Sequence, residues 1–200
     1  MAPRLPVPRA APVEGLSLCV LGSGSGGNVT VVRHGSDMLL IDAGLGPVTV
    51  ARRLGQARTM VGAIRAIVLT HLDADHLRPT WLATIAGFGI AVYVHQWHEA
   101  SLRRLNGADA IYTAGLVRQF DFGSFEPAPG LTMTAVGLRH DQQGTCGFIA
   151  ASRWGRFGYA TDLGCVPSTL IDAAAGVDLL AIESNYDPQM QLASQRPAFL

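Results

Sequence analysis

The stretch THLDADH, residues 70–76, places two histidines and two aspartates within six positions at the end of an apolar run. Imidazole nitrogens and carboxylate oxygens are ligands that Zn²⁺, Mn²⁺ and Fe²⁺ accept in proteins. A bound cation also offsets the repulsion between neighbouring carboxylates, which is costly without it. The residue types therefore favour a metal-binding loop, with four candidate ligands: His71, Asp73, Asp75 and His76.

A solvated loop whose aspartates cap the next helix is the simpler interpretation of the same stretch. The following segment, RPTWLATIAGF (78–88), predicts a helix with proline in its first turn, and a capping role for Asp75 would be ordinary there. Capping does not explain the two flanking histidines. We therefore favour the metal-binding interpretation.

The segment GSGSGGN (22–28) contains the G-x-G-x-x-G spacing of dinucleotide-binding proteins. That fingerprint requires a helix immediately after the glycines, whereas the β-branched residues of NVTVV predict a strand. We predict a hairpin loop. A functional alternative is a loop near the metals, in which Asn28 and backbone N–H groups meet substrate oxygens.

The polar motifs fall where predicted strands end, which is where a rigid sheet can hold a site open to solvent. Hairpins followed by strands alternating with helices predict an α+β or α/β sandwich, with helices on the outer faces of the sheets. The predicted strands are 16–22, 28–34, 38–44, 63–70, 90–95, 117–126, 131–138, 145–152, 156–161 and 177–184, and the predicted helices follow Pro47 and cover 78–88, 96–106 and 167–175.

Composition predicts one domain over residues 15–200, preceded by a flexible proline-rich arm at 1–14. Fifteen basic and fifteen acidic residues balance, which argues against a nonspecific polyanion binder or a membrane-surface protein. Three widely spaced cysteines argue against a disulfide framework and favour the reducing cytoplasm. No apolar run is long enough to cross a bilayer.

THLDADH resembles the H-x-H-x-D-H motif of metallo-β-lactamase-fold hydrolases. Other segments are similar, in order and spacing, to landmarks of the YycJ/WalJ-like branch of that family, and the resemblance covers residues 16–195. It implies an α+β, four-layer αβ/βα sandwich with a dinuclear metal site along one edge. The matching segments are GSGSGGN (22–28), LLIDAG (39–44), RHDQQGTCGF (139–148), YATDLG (159–164) and IESNYDPQM (182–190).

The resemblance implies two divalent metal ions, Zn²⁺ or Mn²⁺ with Fe²⁺ as an alternative. Asp42 would orient the motif loop, while Asn185 and Asp187 match a turn after the last strand and their roles stay open. The implied ligands are His71, Asp73 and His140 at the first ion, Asp75 and His76 at the second, and Asp162 between the two.

Two departures from the family pattern matter. Asp73 stands where the family has its second histidine, and an anionic oxygen donor favours Mn²⁺ or Fe²⁺ over Zn²⁺. We predict direct ligation by Asp73; the alternative is that Asp73 accepts a hydrogen bond from a ligand without binding the ion.

The second departure is that no histidine follows His140, and the chain stops at Leu200. We expect a C-terminal truncation that removes the last helix and ligand; the alternative is a shell completed by water or a partner.

The resulting hypothesis is a hydrolase that uses a metal-bridged water on phosphodiester substrates, in the manner of a nuclease. Asp75 or Asp73 would accept the proton of that water as general base. The expected partner is a nucleic acid or a small phosphodiester, and the resemblance also allows a homodimer. Two alternatives stay open: a hydrolase of a small ester, lactone or thioester, and a metal-poor, non-catalytic binding module.

Overall fold

The computed structural model describes residues 14–56, 61–138 and 144–183. A 3₁₀ turn at Val61–Ala63 precedes the fourth strand. The strands are β1 Leu16–Gly22, β2 Val29–His34, β3 Asp37–Ile41, β4 Ile64–Val68, β5 Ala91–His95, β6 Val117–Phe120, β7 Ser124–Ala128, β8 Leu131–Leu138, β9 Thr145–Ser152, β10 Gly155–Ala160 and β11 Leu179–Ile182; the helices are α1 Pro47–Gln56, α2 Trp81–Phe88, α3 Gln96–Arg103, α4 Ala108–Thr113 and α5 Ser168–Ala174.

The strands form two sheets. The first has the order β1-β2-β3-β4-β5-β6, in which β1 to β3 are antiparallel hairpins and β4 to β6 continue parallel to β3. The second has the order β11-β10-β9-β8-β7 and is antiparallel except for the β10–β11 pair. Parallel pairing explains the alternation of strands and helices in the first half of the chain.

Residue alternation along the strands builds the layers. In β3, Met38 and Leu40 pack with residues of α1, α2, α3 and α4, whereas Leu39 and Ile41 face the second sheet. On the far side of the second sheet, Val136 and Ile149 pack with Leu170 of α5. Three apolar interfaces therefore separate four layers, helices–sheet–sheet–helix, which confirms the predicted αβ/βα sandwich.

Two predictions of secondary structure were wrong. The segment 117–126 was expected to form one strand, but it divides at Gly123 into β6 of the first sheet and β7 of the second. Apolar residues recur on both sides of the break, at Phe120, Phe122 and Phe125, and such a pattern does not specify which sheet a strand joins. Helix α4 was not predicted, because it is only six residues long and buries two apolar side chains, Ala108 and Ile111.

Residues 1–13 of the predicted arm and the end of the chain lie outside the described residues, so the absence of a last helix stays a prediction. In the described part of the chain, no helix has both the length and the apolarity to cross a membrane.

Candidate metal centre

Three loops meet at one edge of the sandwich. Asp42 follows β3, the 70–76 stretch follows β4, and Asp162 follows β10. The parallel strands β3 and β4 end at the same edge, and the Asp42 N–H donates to the carbonyl of Val68 at 3.0 Å. A parallel bridge between Ala43 and Leu77 continues this pairing into the loops. The sheet therefore fixes both loops relative to each other.

The glycine-rich loop is joined to the same edge by the backbone. Asn28 N–H donates to the carbonyl of Asp75 at 2.6 Å, and Gly44 N–H donates to the carbonyl of Asn28 at 2.9 Å. A Cβ at Gly44 would lie 1.6 Å from the Asp75 carbonyl oxygen, so no other residue fits there without moving the loop. Glycine is therefore required at this crossing of three loops.

His71, His76 and Asp162 form a compact group that could hold a metal ion. Each offers one ligand atom, and these atoms lie within 4.8 Å of one another. Both imidazoles are buried, at 3% and 0% exposure, and their ring centroids are 4.0 Å apart. Two neutral imidazoles and a carboxylate suit Zn²⁺, Mn²⁺ or Fe²⁺, so the donor set fits the ions that the sequence predicts.

His76 lies between two carboxylates. Its Nδ1 is 2.8 Å from Asp42 Oδ2, and its Nε2 is 2.9 Å from Asp162 Oδ2. Burial by itself lowers the pKa of His76, but the charges and hydrogen bonds of Asp42 and Asp162 outweigh it and raise that pKa to about 10. A metal ion would replace the proton on Nε2, while the bond to Asp42 holds the ring in place.

His71 has a different environment. Its Nδ1 contacts the hydroxyl oxygens of Thr70 at 3.0 Å and Thr145 at 3.2 Å. Burial, followed by the charge of neighbouring His76, lowers the pKa of His71. The ring is therefore neutral near pH 7, which is the form that binds metal ions.

Sequence reasoning missed Thr70 and Thr145 as parts of the site. The Thr70 backbone N–H donates to Asp42 Oδ1 at 2.8 Å, and its hydroxyl oxygen lies within 3.1 Å of both histidine Nδ1 atoms. Thr70 stands inside the quoted motif, and its position directly before His71 was an available signal. The sequence did not indicate the contact of Thr145 with His71, because it depends on β9 lying beside the loop that follows β4.

The other loop carboxylates lie close to one histidine each. Asp73 is 55% exposed, with Oδ2 3.6 Å from His71 Nε2. Asp75 Oδ2 lies 3.8 Å from His76 Nε2 and accepts a hydrogen bond from the Asn28 amide at 3.3 Å. The same Asn28 nitrogen is 2.9 Å from His76 Nε2. The structure thus brings Asn28 to His76 and Asp75.

Asp42 and Asp162 share an unusual backbone conformation. Their φ angles are 61° and 56°, and they are the non-glycine residues with positive φ in the described ranges. The left-handed region costs non-glycine residues about 1–2 kcal/mol, and Asp and Asn tolerate it best. Backbone strain of this kind concentrates at functional sites. Both strained residues lie beside His76.

His140, Asn185 and Asp187 lie outside the described residues, and so does any ligand that follows them. A residue of β9 does contact the metal-binding loop: the Cys146 N–H donates to the carbonyl of Thr70 at 3.1 Å. Strand β9, which follows segment 139–143, is therefore bonded directly to the metal-binding loop.

A second pair of histidines is buried outside the metal centre. His95 and His98 are 0% and 2% exposed. His95 ends β5 and caps α3 by accepting the Trp97 N–H at 3.2 Å. Cys165, three residues after Asp162, is exposed.

Comparisons with known proteins show the family of this fold. The family model for the beta-lactamase superfamily domain matches residues 38–196. A curated relative, exodeoxyribonuclease YycJ of Bacillus anthracis, is 26% identical over 92% of this chain and 68% of its own length. The chain thus spans about two thirds of that relative.

Two solved structures share the fold. Zn²⁺-bound PqqB from Methylobacterium extorquens has a TM-score of 0.71 at 21% identity, covering 91% of this chain and 78% of that one. A diphosphatase of the PhnP family has a TM-score of 0.61 at 21% identity, covering 82% and 71%. With the family model spanning most of its length, the chain belongs to the beta-lactamase superfamily and is a hydrolase of the metallo-β-lactamase fold.

Proposed function

We propose that this chain is a metal-dependent phosphodiesterase that hydrolyses nucleic-acid strands. The observation that carries the proposal is the convergence of His71, His76 and Asp162 within 4.8 Å at a loop edge of the sandwich. The names of an exodeoxyribonuclease relative and a diphosphatase neighbour favour phosphorus over carbonyl substrates.

The ligand roles that we assign follow the contacts around each histidine. Asp73 is next to His71, which supports a shared first ion, and Asp75 is next to His76, which supports a shared second ion. Asp162 would join the two, and we assign His140 to the first ion from the family resemblance. When bound, such ions polarise phosphoryl oxygens and acidify water.

The protein's own residues orient the groups and move the proton. Thr70 contacts both imidazoles on their Nδ1 sides, and Asp42 holds that of His76. The Nε2 atoms lie near carboxylates of the site, that of His71 near Asp73 and that of His76 near Asp162. Asp75 already accepts a hydrogen bond from the Asn28 amide on its Oδ2. Asp73 is more exposed, and the carboxylate oxygen that does not bind the ion is the better general base for the attacking water.

The direct test is hydrolysis by protein that has been stripped with a chelator and reloaded with Mn²⁺ or Zn²⁺. We expect cleavage of a 5′-labelled DNA strand and of bis(p-nitrophenyl) phosphate, loss of activity with EDTA, and recovery with metal. His76→Gln should abolish cleavage. His98→Gln, which changes another buried histidine outside the metal centre, should retain it.

Other outcomes would contradict the proposal. Turnover of thioesters, lactones or simple esters without phosphodiester cleavage would favour a carbonyl hydrolase on the same centre. Fewer than about one tightly bound transition ion per chain after dialysis would favour a non-catalytic binding module.

A further inference from the structure

A cleft of about 510 Å³ opens directly beside the metal centre. Three segments form its wall: the glycine-rich loop, the metal-binding loop and the residues that lead into α2. Its lining residues are Ser25, Ala74, Asp75, Arg78, Pro79 and Thr80. The ligand assignment uses Asp75 alone of these six.

Arg78 is the basic member of this lining set, and the backbone holds its guanidinium in a fixed place. Nε donates to the carbonyl of Gly44 at 2.6 Å, and Nη2 donates to the carbonyl of Gly26 at 3.3 Å. Both acceptors belong to loops that build the metal centre. A planar guanidinium carries five N–H donors, so these two bonds leave donors on Nη1 and Nη2 for a ligand.

The charges in the cleft suit a phosphate group. Asp75, the acidic residue of the wall, has its Oδ2 3.8 Å from His76 Nε2, so its charge is directed to the metal-binding side. Arg78 is an exposed residue of the same wall. Ser25, in the glycine-rich loop, adds a hydroxyl donor. A guanidinium with a neighbouring hydroxyl is a common way to bind phosphate oxygens.

We infer that this cleft binds a phosphate of the substrate strand other than the one that is cleaved, and that Arg78 is the residue that recognises it. The inference rests on the proposed function, because it assigns a second contact to the same strand. It makes the preferred substrate a chain with at least two phosphates. A diester with one phosphate cannot occupy the metal centre and the cleft at the same time.

The salt dependence of binding tests this inference without any hydrolysis. The probe is a short fluorescein-labelled DNA strand with phosphorothioate linkages, measured by fluorescence anisotropy on the metal-loaded protein from 50 to 200 mM salt. For a single strand, each neutralised phosphate contributes about 0.7 to the slope of log K against log salt. Arg78→Gln should lower the slope by about 0.7 and weaken binding on the order of tenfold at low salt.

Two further variants separate phosphate binding from loop support. Arg78→Lys keeps the charge and should keep most of the slope. Arg65→Gln is the matched control, because Arg65 is half exposed, pairs with Asp37 at 3.3 Å, and lies at the far end of β4 from His71. It should leave slope and affinity unchanged. The melting temperatures of all variants report any loss of loop support.

Several results would overturn the inference. These are an unchanged slope in Arg78→Gln, an equal change in Arg65→Gln, or no binding of the strand by the wild-type protein. Kinetics give a second check: Arg78→Gln should raise KM for a DNA strand by a larger factor than it raises KM for bis(p-nitrophenyl) phosphate. Strand binding through Arg78 without any metal-dependent cleavage would refute the proposed function and leave the phosphate site standing.

Discussion

Two pairs of buried histidines, His71 with His76 and His95 with His98, occupy different regions of the molecule. All four are at most 3% exposed. His76 lies between the carboxylates of Asp42 and Asp162, whereas aromatic rings surround His95. The ring centroids of Trp97, Phe120 and Phe122 lie 4.5, 5.4 and 4.6 Å from that of His95.

The two environments act on the imidazole in opposite directions. Carboxylates raise the pKa of His76 to about 10. Burial lowers the pKa of His95; nearby Asp121 opposes this and His98 adds to it. Burial of a histidine therefore does not identify a chemical site. A site requires buried histidines together with carboxylates from separate loops, and in the described residues the metal centre has that combination.

Removing one site carboxylate should have the largest effect. Asp162→Asn keeps a residue that tolerates the φ of 56° but removes the charge beside His76. We expect phosphodiester turnover to fall by at least about 100-fold, because even residues that only support a ligand cost 10- to 100-fold. Steady-state kinetics and metal analysis measure the loss. Full turnover in Asp162→Asn would show that this carboxylate does not belong to the centre.

The support behind the ligand should matter next. In Asp42→Asn, a neutral amide replaces the acceptor of the His76 Nδ1 hydrogen and of the Thr70 N–H. We expect metal affinity to fall by about 10- to 100-fold. Competition with a chromogenic chelator measures the affinity. An affinity within twofold of wild type would mean that Asp42 stabilises the fold without orienting the ligand.

Substitution of His95, which lies among aromatic rings, should lower stability without changing metal binding. His95→Ala removes the cap of α3 and opens a space among three rings, so we expect a loss of about 2 kcal/mol in the free energy of unfolding. Metal content and turnover should not change. Urea denaturation measures the loss of stability, and metal analysis measures the metal content. A loss of bound metal in this variant would contradict the distinction between the two histidine pairs.

The smallest effect should appear in the pH dependence of stability. Because the pKa of His95 in the folded protein lies below its unfolded value of about 6.5, the unfolded chain binds more protons as pH falls through that range. The folded state is therefore destabilised on going from pH 7 towards the lowered pKa. His95→Asn, which keeps a capping side chain, should lose less stability between pH 7.5 and pH 5.5. Equal losses in urea titrations would place the proton uptake elsewhere.

Most residues of the metal centre could be predicted from the sequence. THLDADH, Asp42 and Asp162 follow strands that the apolar runs predict, and the structure brings these residues to one edge. The sequence pattern could not show that Thr70 and Thr145 contact the same ring, since that depends on how the two sheets stack. Nor could it show that His95 is buried, because α3 and β6 supply its neighbours.

The left-handed backbone at Asp162 has a consequence for protein engineering. Glycine at this position would relieve about 1–2 kcal/mol of conformational strain and remove a partly buried carboxylate. A screen for heat resistance alone would therefore favour Asp162→Gly while eliminating the assigned ligand. Libraries that seek a more durable enzyme should hold this position fixed and draw their gains from surfaces remote from the cleft.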